Sequence, residues 1–142
     1  MSKPHPNRLG IRGWAIGGRW GLERYLYTLH RVSGLALLAY FVLHLFVTSA
    51  RAFGEGAWHT SMGLVHGPVF VVGEFLVFAA FGFHALNGLR LVLVELGIGV
   101  GKPIEPVYPY ATSVGRQRPL ALVGMLLAGV IVAWGAADFF FL

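Results

Sequence analysis

The chain of 142 residues contains no cysteine. That excludes disulfides, and it excludes any iron–sulfur cluster held by thiolates of this chain. Charge is also scarce: only 12% of residues are Asp, Glu, Lys or Arg, and six of those are acidic. With 56% hydrophobic residues and a mean hydropathy of +0.69, little is left for a water-facing domain. No secretory signal stands out, because the first apolar stretch begins only near residue 32 and lacks a small-residue cleavage pattern. No Ser-rich, acid-poor transit peptide is evident either, which points to a prokaryotic plasma membrane.

Long apolar runs fill the remainder. Val32 to Ala50 and Pro119 to Ala137 carry no formal charge, and Val69 to Leu89 carries only Glu74. A hydrocarbon core ~30 Å thick takes ~20 such residues to cross. The expected fold is therefore all-α, a unit of three transmembrane helices with spans at about 30–50, 68–96 and 118–138. A natural division puts a cytoplasmic arm and interfacial segment at 1–28 and the three-helix anchor at 29–142. Trp20 to Leu29, with its aromatics and two charges, suits a short interfacial helix, although it also reads as an extension of the first span.

Basic residues orient the spans. Lys3, Arg8, Arg12, Arg19, Arg24 and Arg31 precede the first, and Arg90, Lys102, Arg116 and Arg118 cluster between the second and third. Only Arg51 falls on the other side. The positive-inside rule then places the N-terminus in the cytoplasm. The net charge of +5 reflects this topology, and no basic run interleaved with aromatics suggests nucleic acid. The connection 51–67 holds Gly54, Gly56, His59 and His66 and reads as an outer loop. The connection 97–117 holds Pro103, Pro106 and Pro109, with Tyr108 and Tyr110 at an interface, and reads as non-helical. In the third span Gly124, Ala128 and Gly135 would permit close helix contact. Glu74, in the outer part of its span, is read as a partner for Arg51 rather than as a proton carrier.

Two histidines lie at membrane depth, where ionisable groups are costly and usually functional. His84 shares a helix face with Ala80 and Gly88, small residues that leave room for a large flat ligand. A neutral imidazole in such a setting can ligate haem iron, or it can simply bond across the bundle while the small residues pack. His44 lies roughly four turns beyond His30 on the first span, on nearly the same stripe, which also holds Gly34, Leu37 and Phe41. Arg31 at the boundary can reach headgroups, a propionate or a polar substrate.

These residues fall into two strings. Leu29-His30-Arg31-Val32-Ser33-Gly34 resembles the signature entering the first membrane helix of the cytochrome b anchor subunit of succinate dehydrogenase. Phe83-His84-Ala85-Leu86-Asn87-Gly88-Leu89-Arg90 is similar to that family's second signature, a haem histidine followed by Gly-x-Arg. The order of the two strings, their separation and the three spans also agree with the family.

The resemblance implies a haem b-binding anchor of respiratory complex II, paired with a second anchor subunit. FAD and iron–sulfur clusters would sit on flavoprotein and iron–sulfur partner subunits, with quinone and membrane lipid as further partners. His84 would be an axial ligand of haem, with the second ligand from the companion anchor. His30, Arg31, Gly88 and Arg90 would contribute to the cofactor site, and Arg31 to the quinone site. Where single-haem members carry a serine near the quinone, this chain has Tyr27 and, beside it, Thr28. After Gly-x-Arg, where those members often have histidine, it has Leu91. His44 fits the distal ligand of two-haem members; the alternative is a structural histidine bonded to a backbone carbonyl or a propionate. A fumarate reductase or another quinone-linked dehydrogenase would use the same parts, and a non-redox proton-conducting or assembly subunit is the alternative of another class.

Overall fold

The computed structural model describes residues 21–102, 105 and 114–141, and all regular structure among them is helical. Helix α1 runs Leu22–Ser49 and passes into a 3-10 turn, Ala50–Phe53. Helix α2, Glu55–Leu64, is followed by α3, Pro68–Glu95. After the second connection, a 3-10 turn at Val114–Gln117 leads into α4, Arg118–Phe141. Helices α1, α3 and α4 are each long and apolar enough to cross a membrane. The 28 residues of α1 or α3 extend about 42 Å, so their ends project beyond a hydrocarbon core of ~30 Å.

The segment from Leu22 to Leu29 is not a separate interfacial helix but the first two turns of α1, and the division at 28/29 falls within that helix. Nothing in Leu-Glu-Arg-Tyr-Leu-Tyr-Thr-Leu breaks a helix. Glu23 in the first turn complements the helix dipole, and Tyr27 pairs with Arg31 one turn on. Residues 1–20, Pro103, Pro106, Pro109, Tyr108 and Tyr110 lie outside the described residues.

The outer connection is also more ordered than its glycines suggest. Gly54 (φ 100°) and Gly67 (φ 129°) take left-handed conformations that side-chain-bearing residues avoid, and they bracket α2 with two sharp corners. Pro68 then opens α3 at a position where its missing N–H costs nothing. The Ser61 hydroxyl, donating to the Val47 carbonyl at 3.2 Å, ties α2 to the end of α1.

Helix α3 is central, with α1 on one side and α4 on the other. Helix α4 buries a stripe of Ala121, Ala128 and Gly135, spaced two turns apart. The Phe78 ring of α3 fills the notch at Gly135, and Ile131 lies over Gly82. Gly124, expected in this contact, faces open space instead, because three residues beyond Ala121 the helix has turned ~60° off the stripe.

Large apolar side chains point outward: Phe46 is 73% exposed and Trp134 72%. In lipid that is the resting state of a spanning helix, since hydrocarbon gives no reason to bury them. The interior is correspondingly polar. Among the described residues Thr28, Ser33, Asn87, Arg90 and Gln117 are buried, against only Leu26, Ala121 and Ala128 of the apolar side chains.

Gly135→Leu is expected to destabilise the bundle by about 1–3 kcal/mol through collision with Phe78, whereas Gly124→Leu should stay within about 0.5 kcal/mol. SDS titration of the protein in mixed micelles, followed by circular dichroism, measures both.

Candidate functional site

The polar interior is concentrated where α1 crosses α3, toward the end that carries Arg31 and Arg90. There the rings of His30 and His84 stack face to face, with centroids 4.0 Å apart and planes 5° from parallel. The two helices contribute the same pattern, a histidine with a glycine one turn later: His30 and Gly34 on α1, His84 and Gly88 on α3. Each ring occupies the space that the opposite glycine leaves. A Cβ at Gly34 would stand 2.9 Å from Cε1 of His84, and one at Gly88 would stand 3.5 Å from Cε1 of His30.

Hydrogen bonds fix the orientation of His84. Its Nδ1 lies 3.1 Å from the His30 carbonyl oxygen and 3.2 Å from the Ser33 hydroxyl. The Ser33 hydroxyl itself donates to the His30 carbonyl at 3.0 Å. A carbonyl can only accept, so this set of contacts assigns the proton to Nδ1 of His84. In the neutral form of the ring the lone pair is then on Nε2, which has no hydrogen-bond partner among the described residues. A neutral imidazole with one free nitrogen is a single-point metal ligand, of the kind whose other nitrogen is usually anchored to a carbonyl. Among the described residues no group of three or more His, Cys, Asp or Glu side chains could hold a metal ion alone.

Tyr27 and Arg31 share the exposed face of α1. The Arg31 guanidinium bonds the Tyr27 hydroxyl and lies 5.4 Å from the centre of its ring. Arg24 approaches the same ring, at 5.5 Å. Thr28 is buried instead, so the two hydroxyls considered together in the sequence point different ways.

Arg90 is also buried, and its bonds go to protein. Its Nε donates to Asn87 Oδ1 at 3.0 Å and its Nη1 to Gln117 Oε1 at 2.6 Å. This arginine therefore fastens α3 to the turn that opens α4. Next to it, Arg118 Nε donates to Glu23 Oε1 at 2.8 Å and links α4 to α1. The Nδ1 of His30 and Nδ2 of Asn87 are buried without a partner among the described residues.

His44 sits apart from this cluster, at the other end of α1, beside Tyr40 with ring centroids 5.6 Å apart. It is exposed and lines a cavity of about 470 Å³ with Tyr40, Thr48, Trp58 and Glu74 among its walls. Glu74 forms no ion pair with Arg51, whose guanidinium lies over the Trp58 ring at 5.4 Å. His59 is exposed and pairs locally with Glu55 at 3.5 Å.

The structure brings together His30, His84 and Gly88, all named from the sequence; the sequence reading gave no such role to Ser33 and Gly34, which bond and seat the rings, or to Asn87 and Gln117, which hold Arg90. The repeated histidine–glycine spacing was the one signal that could have revealed the reciprocal packing. Gln117 carried none, being a single polar residue in a connection far along the chain.

The architecture defines a small integral membrane protein of three spans, its polar residues gathered inside one end of the bundle. The chain belongs to the succinate dehydrogenase/fumarate reductase transmembrane subunit family, whose model matches residues 16–133. It is similar to a succinate dehydrogenase hydrophobic membrane anchor subunit from Halobacterium salinarum, with 30% identity over 126 residues, covering 86% of each chain. No solved structure matches it.

Replacing Arg90 with Met leaves Asn87 Oδ1 and Gln117 Oε1 without their donor. It is expected to cost roughly 2–4 kcal/mol of bundle stability. In the double variant with Gln117→Leu the losses should fall short of additive, which a thermodynamic cycle from SDS unfolding measures.

Proposed function

We propose that this chain is a haem b-binding membrane anchor of a succinate:quinone oxidoreductase in a prokaryotic plasma membrane, with its N-terminus in the cytoplasm. The observation that carries the reading is His84: a half-buried imidazole at membrane depth whose Nδ1 is fastened to a carbonyl, so that Nε2 can meet iron. Gly34 and Gly88 fit the same purpose, because they hold the two rings without crowding them. For the haem at His84 the chain offers this one ligand, and the companion anchor subunit supplies the other.

When bound, haem b supplies a one-electron store between the partner subunits and quinone. Those partners, a flavoprotein and an iron–sulfur subunit, oxidise succinate; this chain, without cysteine, cannot hold their clusters. Tyr27 and Arg31, paired on the exposed face of α1, bind and orient the quinone head through a hydroxyl and a cation. Arg31 would also supply a positive charge to neutralise a propionate. Arg90, engaged by Asn87 and Gln117, holds the helices in register around the site.

A second haem is favoured by one observation, the cavity at His44. Its volume of about 470 Å³ falls within the range typical of cofactor sites, ~300–1,000 Å³. Its walls are largely apolar, and His44 is the one histidine among them.

Purified complex should show a b-type haem spectrum that succinate reduces and that His84→Ala abolishes while the subunits stay assembled. A colourless, fully assembled wild-type complex defeats the proposal. Haem-to-complex stoichiometry near two, falling to one in His44→Ala, supports the second haem, and an unchanged ratio rejects it.

A further inference from the structure

A serine inside a helix commonly back-bonds to a carbonyl one turn earlier, with no further role. At the other end of α1, Thr48 does this, donating to the His44 carbonyl at 2.7 Å with no second helix involved. Ser33 makes the equivalent bond to the His30 carbonyl, but its oxygen also meets Nδ1 of His84 on α3 at 3.2 Å. Three polar atoms thus share two protons. The hydroxyl proton goes to the carbonyl, and the Nδ1 proton is divided between the carbonyl and the hydroxyl oxygen. Ser33 is buried, so water does not compete for these bonds.

We infer that Ser33 is a positioning residue for the haem ligand, acting on iron through His84; the inference rests on the haem reading above. Two acceptors on one N–H fix the imidazole about its Cβ–Cγ bond and keep its plane parallel to His30. They also draw the Nδ1 proton away from the ring, which makes Nε2 a stronger donor and favours ferric over ferrous iron. Without the hydroxyl only the His30 carbonyl remains, already engaged within its helix. The ring then donates less strongly, and its orientation is held by stacking and a single bond.

The test uses the assembled complex carrying Ser33→Ala or Ser33→Thr, read by haem content, redox titration and the low-spin ferric EPR signal. Ser33→Ala is expected to retain haem b with a midpoint potential shifted upward and a changed principal g-value. Ser33→Thr, which keeps the hydroxyl, should restore both. If Ser33→Thr is too bulky to assemble, Ser33→Cys, a weaker donor and acceptor of similar size, should give shifts smaller than those of Ser33→Ala. Wild-type potential and g-values in Ser33→Ala overturn the inference while leaving His84 as the ligand. A wild-type complex without haem b overturns the haem reading itself, and this inference with it.

Discussion

Inside a hydrocarbon slab a polar group is costly unless it finds a partner within the protein, because lipid tails supply none. Much of this bundle follows from that constraint. Its apolar side chains are largely left to lipid, and the few that are buried are small or lie near one end. Beyond the small-residue stripe of α4 and the Ile131–Gly82 contact, the contacts that set helix against helix are polar or aromatic. His84 bonds to the His30 carbonyl and to Ser33, Arg90 bonds to Asn87 and Gln117, and Arg118 bonds to Glu23. Each of these ties one spanning helix to another or to the turn that opens it, except the Asn87 bond, which steadies Arg90 within α3.

The two ends of the bundle are consequently unlike. At the end carrying Arg90, polar side chains fill the interior and stacked rings bring α1 against α3. At the end carrying His44, α1 and α3 leave a largely apolar cavity, roofed by α2 with Trp58 and Met62. A membrane protein gains nothing by filling such a space with apolar side chains of its own if lipid or a ligand does so equally well. The histidines divide accordingly: His84 is tightly specified by its surroundings, while His44 is loosely held and open.

Glycine has opposite uses in these regions. Gly34 and Gly135 are defined by what occupies their missing side chains, an imidazole in one case and the Phe78 ring in the other. Gly54 and Gly67 are defined by backbone angle, and they turn what reads as a loose loop into a corner, a helix and a corner. Composition cannot separate these uses, since both register simply as glycine in an apolar or loop-like context.

The three spans were legible because hydropathy over ~20 residues depends on composition alone. His84 was legible for a related reason: a polar residue at that depth is conspicuous in any order of neighbours. The pairing of residues distant in sequence was not legible. Arg90 looks like a cofactor residue from its own string, and only the arrival of Gln117 beside it shows where its bonds go. Gly124 and Gly135 look equivalent until the rotation of α4 puts one against Phe78 and the other against open space. Likewise Tyr27 and Thr28 are neighbours in the chain but lie on different faces of α1. By itself the sequence determined which segments enter the membrane and which polar residues go with them, because burial in lipid is a property of single helices. Which of those polar residues hold the bundle together, and which remain free to meet a ligand, depends on pairwise distances between helices, and only the tertiary structure decided that.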